Sequence, residues 1–251
     1  MSEGEIRVPT ADGVMTSFVA HPDCEDQFPL AVLFMDGVGY REQVKDNARR
    51  FAADGYFVVA PDLFYRAGEK LSFDFTRMGE PDYREELMKV VSTVTPDTAI
   101  DDTRALLATV ADDPAVSAGP MVCVGYCMGA RIALHFASTH KDEVVAAAGI
   151  HPSALVTDQP DSPHHDLSDV RGELYFAFAE QDHSATPENV DRFRRELHLS
   201  GVRGTVERLA ATSHGFAMAD LPVYDEAAAE HHFERTLELW RRNLTPRTVG
   251  A

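Results

Sequence analysis

A cysteine set between two nearby glycines marks the most reactive stretch of the chain, 120–133, PMVCVGYCMGARIA. An apolar run, Met121 to Val124, has strand character. It meets Gly125-Tyr126-Cys127-Met128-Gly129-Ala130, and a helix-forming segment follows at once with Arg131, Ile132 and Ala133. A strand must become a helix there with almost no loop. Cys127 then sits at the apex of a tight turn, where a non-glycine residue is usually strained, and Gly125 and Gly129 let strand and helix pass closely. A thiol at a helix N-terminus faces unpaired N–H groups and the positive end of the dipole, so its thiolate is easier to reach than that of a free cysteine. The chemistry on offer is nucleophilic attack by sulfur. The same glycines would also tighten an ordinary turn around a small buried cysteine, so the partners of the thiol decide between the two readings.

A catalytic cysteine needs a base, and the base needs a group that fixes its tautomer and stabilises the imidazolium. For a nucleophile on such an elbow the expected chain order is nucleophile, acid, histidine. Asp182 follows the strand-like run ELYFAFA, and His214 follows the next, in the loop Ser213-His214-Gly215. Glu180 is an alternative acid two positions earlier, and Asp182 could simply be a helix-entry residue. His164-His165 and His231-His232 are adjacent pairs that do not share a helix face, with no cysteine or carboxylate at ligand spacing, so neither a metal nor any other cofactor is expected.

The elements that must position these groups follow from periodicity. Segments 5–8 and 14–20 alternate enough to form a short hairpin at a sheet edge, turning at Ala11-Asp12-Gly13. The runs 30–35, 56–60, 121–124 and 144–150 are apolar throughout, as strands covered on both faces are; 173–179 is a further strand, and 205–209 is the last. Helices are expected over 42–54, stopped by Gly55, and over 82–94, 95–110, 128–140, 187–199 and 225–242. Thr95-Pro96 and Thr186-Pro187 read as N-cap and N1 pairs. Segments 63–80 and 151–170 lack a pattern; the first is rich in aromatic residues and, with the helix after it, reads as a cover over 63–95. Alternating strands and helices imply the α/β class, a mostly parallel sheet with helices on both faces, whose ligands sit at the carboxyl ends of the strands. Asp36-Gly37, 125–129, 180–182 and 213–215 all follow strands, so they are expected on one edge of the sheet.

At 251 residues, with no Pro/Gly/Ser-rich linker and no repeat, the chain reads as a single domain spanning 1–251. The net charge of −18 argues against nucleic acid or an anionic membrane as partner, since both need a basic face. The start, MSEGEIRVPT, lacks the basic and apolar regions of a signal peptide. Three cysteines, Cys24, Cys123 and Cys127, form no disulfide framework, so a cytoplasmic location is expected.

GYCMGA, the QDHSATP segment and SHGFAMAD, in this order and with these strands, resemble the dienelactone hydrolase family of the α/β-hydrolase fold, over about residues 14–240. The resemblance implies Cys127 as nucleophile, His214 as general base and then acid, and Asp182 as its orienter. It implies an oxyanion hole from the backbone N–H groups of Met128 and Gly37. Well-known members carry a Glu after the early strand whose carboxylate takes the thiol proton; Asp36, one methylene shorter, holds that place here. They also use two arginines to hold a substrate carboxylate. Arg84 matches one, and Met218 stands where the other would be. With Tyr126 beside the nucleophile, Met218 and the aromatic cover, the substrate is expected to be a small, rather apolar ester or lactone. The activity implied is ester or lactone hydrolysis through an acyl-thioester, in a monomer or homodimer. The alternative is a thiol sensor or small-molecule binding protein that keeps the fold without the chemistry.

Overall fold

Three of the apolar runs become strands buried at every residue in the computed structural model, which describes residues 1–160 and 162–244. The chain divides between Gly119 and Pro120 into two compact units.

In the first unit, β1 (Ser2–Thr10) and β2 (Gly13–His21) form the expected antiparallel hairpin, longer than its apolar alternation suggested. Pairing runs the whole way from Ser2↔His21 to Thr10↔Gly13, because an antiparallel ladder continues into polar residues once the turn has set the register. β3 (Leu30–Phe34) and β4 (Phe57–Pro61) are parallel to each other, and β2 lies antiparallel to β4. Both β3 and β4 are buried throughout, so each face is covered. Between them α1 (Glu42–Ala53) buries the stripe Val44, Ala48, Phe51 and Ala52 and stops before Gly55, whose φ of 96° suits glycine.

Two further helices complete this unit. α3 (Pro96–Val110) starts as expected, with a Thr95–Thr98 capping box and Pro96 at N1. α2 (Pro81–Val91) ends three residues before the sequence pattern suggested. The Ser92 and Thr93 hydroxyls donate to Lys89 O and Val90 O, taking up carbonyls at the helix end.

The aromatic segment before α2 is not loose. The buried Asp62 carboxylate accepts from Phe64 N at 3.1 Å and Lys70 N at 2.7 Å. Burial pushes its carboxyl up to about 6 despite those two bonds. Further on, Phe73 N–H donates to Val38 O at 2.8 Å and Tyr40 N–H to Leu71 O at 2.9 Å, fastening the segment to the loop after β3. Only glycine fits at position 39, where a Cβ would stand 2.3 Å from Leu71 O. The rings of Phe64, Phe73 and Tyr83 follow edge to face, at centroid distances of 6.5 and 5.8 Å.

The second unit contains β5 (Met121–Tyr126), β6 (Val144–Ile150), β7 (Glu173–Gln181) and β8 (Gly204–Ser213), paired in that order and all parallel. Helices α4 (Met128–Thr139), α5 (Pro187–Ser200) and α6 (Glu226–Asn243) alternate with them. Thr186 caps α5 and Asp225 caps α6 through their side chains. β8 runs past the expected end at residue 209, because its pairing with β7 resumes at Gln181↔Ser213 after an irregularity. Since the four strands are parallel, the residues leaving their carboxyl ends emerge on one edge. Those residues are Cys127, His151, Asp182 and His214.

Candidate active site

The elbow takes the form its sequence implies. Cys127 has φ 54° and ψ −112°, a strained conformation for a residue with a Cβ, and is the N-cap of α4. Strand and helix pass so closely that a Cβ on Gly125 would lie 2.0 Å from Gly129 O. Cys127 N–H donates to Ile150 O at 3.0 Å, tying the turn to β6, and Ala130 N–H donates back to Cys127 O at 3.2 Å. The thiol therefore stands at the start of a helix whose first N–H groups have no intrahelical acceptor.

The imidazole reaches it. His214 Nε2 lies 3.0 Å from Cys127 Sγ, and His214 Nδ1 lies 2.6 Å from Asp182 Oδ2. The Asp182 side chain is 2% exposed. Its other oxygen, Oδ1, accepts from Ser184 N at 2.8 Å and Ser184 Oγ at 2.6 Å. Burial disfavours an imidazolium at His214, but the charge on the Cys127 sulfur and the hydrogen bond to Asp182 outweigh it and hold His214 well above its ordinary value. Burial likewise works to raise Asp182. Its bonds to His214 and Ser184 prevail, so the carboxyl lies below its ordinary value. Both directions favour a proton on His214 beside an ionised Asp182.

The alternative acid, Glu180, is exposed and accepts from Ala211 N at 2.7 Å instead. The other thiols stand apart: Cys24 is exposed, and burial pushes the Cys123 thiol up. Sequence reasoning missed the loop after β6. There the Ser153 hydroxyl lies 3.7 Å from Cys127 Sγ, and the His151 ring packs edge-on to that of His214 at 5.2 Å. The signal was available: His151-Pro152-Ser153 directly follows a buried strand, the same placement that singled out Asp182 and His214.

The remaining candidates have definite places. Met128 is the first residue of α4. Tyr126 is fully buried, its ring 5.8 Å from that of His151 and 5.7 Å from that of His232. Met218 is buried in the turn after His214, its N–H donating to Gly215 O at 3.0 Å. In the first unit, Asp36 and Gly37 follow β3 and Gly37 faces Val91 of α2. The Asp36 carboxylate is engaged by Arg41 through two bonds, 2.7 and 3.0 Å, and accepts from Val38 N at 3.1 Å. The salt bridge is nearly buried, with Asp36 3% and Arg41 10% exposed, so Asp36 shapes the turn that carries Gly37. Arg84 is exposed on α2, beside an open groove it shares with Met78, Pro81 and Met88.

A strained cysteine between strand and helix, with an acid and a histidine on the two strand ends farther along the same sheet, is the arrangement of the α/β-hydrolase class. Solved structures carry the same fold. A candidate dienelactone hydrolase from Klebsiella pneumoniae superposes with a TM-score of 0.84 at 21% identity, covering 96% of this chain and 98% of the other. A dienelactone hydrolase-like promiscuous phosphotriesterase from metagenomic libraries does so with a TM-score of 0.76 at 17% identity, covering 96% and 98%. The pattern of the dienelactone hydrolase family matches residues 15–244, and the chain belongs to that family. A candidate carboxymethylenebutenolidase of Salmonella typhi is 25% identical over 95% of this chain and 86% of its own length. Carboxymethylenebutenolidase 1 of Cupriavidus pinatubonensis is 22% identical over 95% and 96%. Among the described residues no helix is long and apolar enough to cross a membrane.

Proposed function

We propose that this chain hydrolyses small carboxylic esters or lactones through an acyl-thioester on Cys127, with His214 as general base and acid and Asp182 as its orienter. The observation that carries the reading is the unbroken contact from Sγ through the imidazole to a buried carboxylate, 3.0 and 2.6 Å. The thiolate attacks the carbonyl carbon, a C–S bond forms, and the carbonyl π pair moves onto oxygen. The N–H of Met128 receives that charge, with Gly37 as the second donor by the family resemblance. Collapse expels the alkoxide, which takes the proton from His214 Nε2. Water then attacks the thioester while His214 accepts its proton, and C–S cleavage releases the acid and restores the thiolate beside the imidazolium.

Asp36 has a smaller part in this reading than its family counterpart: its carboxylate is held by Arg41, and His214 is the base for the thiol. A reduced thiol is required throughout, which fits a reducing compartment such as the cytoplasm. One family match running across both units supports a single hydrolase domain, with 63–95 as its cover.

The substrate is a neutral, rather apolar acyl or lactone group. Met218 replaces a cation, Arg84 is the one family arginine retained, and the segment read as the cover carries Phe64, Phe73 and Tyr83 as linked rings, Phe64 being buried. On that basis kcat/KM for a neutral aryl ester is expected to exceed that for a carboxylate-bearing enol lactone by about tenfold, the effect of roughly 1.4 kcal/mol. A strong preference for the anionic lactone would refute this specificity.

A further inference from the structure

The loop after β6 touches the relay at several points. Besides the 3.7 Å contact in which Cys127 Sγ–H donates to its hydroxyl oxygen, Ser153 N–H donates to Cys127 O at 3.3 Å. Ala154 N–H donates to Ser184 O at 3.3 Å, and Ser184 is the residue that holds Asp182. His151 N–H donates to Ala177 O at 2.7 Å, which anchors the loop to β7. His151 and Ala154 bracket Ser153 with φ of 37° and 49°, left-handed conformations that residues with a Cβ keep only where their surroundings over-determine them. The loop is thus fixed from three directions, and the side chain it aims at the sulfur is a hydroxyl.

We propose that Ser153 is a further catalytic residue, whose hydroxyl donates a hydrogen bond to the Cys127 sulfur whenever the thiol proton resides on His214. This inference rests on the reading of Cys127 as the nucleophile. The thiolate then has two side-chain donors, His214 Nε2–H and Ser153 Oγ–H. Hydrogen bonds to charged groups are the stronger ones, although the length of this one keeps its effect modest. Once acylated, the sulfur carries no charge and the Ser153 bond loses most of its strength. When the thioester breaks the bond is regained, so the same hydroxyl favours departure of the thiolate. In the second unit the titratable groups around the sulfur are His214 from the loop after β8, Asp182 behind it from the end of β7, and His151 from the end of β6. Ser153 does not itself titrate in this range, so a change on its removal reads the hydrogen bond.

The test is the pH dependence of Cys127 alkylation by iodoacetamide, followed on the Cys127 peptide by mass spectrometry so that Cys24 does not contribute. In Ser153→Ala the acid limb is expected to move up by about half to one pH unit, which corresponds to a roughly three- to tenfold loss of thiolate below that limb. Ester kcat/KM measured in that range is expected to fall by a similar factor, and Ser153→Thr, which keeps the hydroxyl, to restore both. Superimposable alkylation profiles for Ser153→Ala and the wild type would overturn the proposal, as would a threonine variant indistinguishable from the alanine one. Alkylation reports on the sulfur whether or not esters turn over. Intact hydrolysis in a protein lacking the Cys127 thiol would therefore remove the nucleophile assignment separately.

Discussion

Cys127→Ala is expected to lose ester hydrolysis by a factor of about 10⁴ or more while the protein stays folded. The size follows from the arrangement: the sulfur is the atom to which His214 Nε2 is aimed, 3.0 Å away, and removing the nucleophile of such a relay leaves only binding and oxyanion stabilisation. The fold should tolerate the change. Alanine has the same Cβ to place at φ 54°, and the bonds that tie the elbow, Cys127 N–H to Ile150 O and Ala130 N–H to Cys127 O, are made by backbone. kcat/KM on a neutral aryl ester together with a thermal melt checks both halves. A variant that melts like the wild type yet keeps its rate would mean that hydrolysis proceeds elsewhere.

The second large effect belongs to Asp182→Asn. Two donors from Ser184, its N–H and its hydroxyl, converge on Asp182 Oδ1. In the amide the oxygen is therefore held on the Ser184 side, and the NH₂ is turned towards His214 Nδ1. An imidazole facing an N–H donor must accept at Nδ1 and carry its proton on Nε2, which leaves no base towards the sulfur. The expected loss in kcat is about 10³- to 10⁴-fold, in keeping with the wrong tautomer in a Ser-His-Asp relay. The pH profile should narrow as well. Asp182 is among the groups that hold His214 above its ordinary value, so without the carboxylate the imidazolium gives up its proton at lower pH. The alkaline limb of kcat/KM then moves to lower pH, and with less positive charge beside the thiolate the acid limb moves up. A loss below tenfold with both limbs in place would show that His214 is oriented by something other than Asp182.

How much of this was legible in the sequence depends on whether a feature is periodic. β3, β4 and β5 are buried on both faces and read as unbroken apolar runs. The helix starts were legible too, because Thr95-Pro96 and Thr186-Pro187 carry their own capping chemistry. The relay emerged because its three members each follow a strand in the order an elbow demands. Features set by tertiary hydrogen bonds left no such trace. β8 continues to Ser213 through an irregular register that its composition does not announce. The bond between Asp36 and Arg41 joins two residues outside the strands and helices and obeys no period, so it leaves no mark in the sequence. Ser153 escaped because the segment after β6 was read as merely irregular, when its backbone is pinned by Cys127, Ala177 and Ser184.

An acyl group carried on the Cys127 sulfur during turnover can be trapped and located. The wild-type protein is mixed with an activated neutral ester, quenched in acid during turnover, digested and mapped by mass spectrometry. One acyl group is expected on the peptide carrying Cys127, gained and lost at rates that match turnover, and none in Cys127→Ala. Steady hydrolysis with the acyl group on any other residue, or with no acyl-protein at all under conditions where deacylation limits the rate, would contradict it.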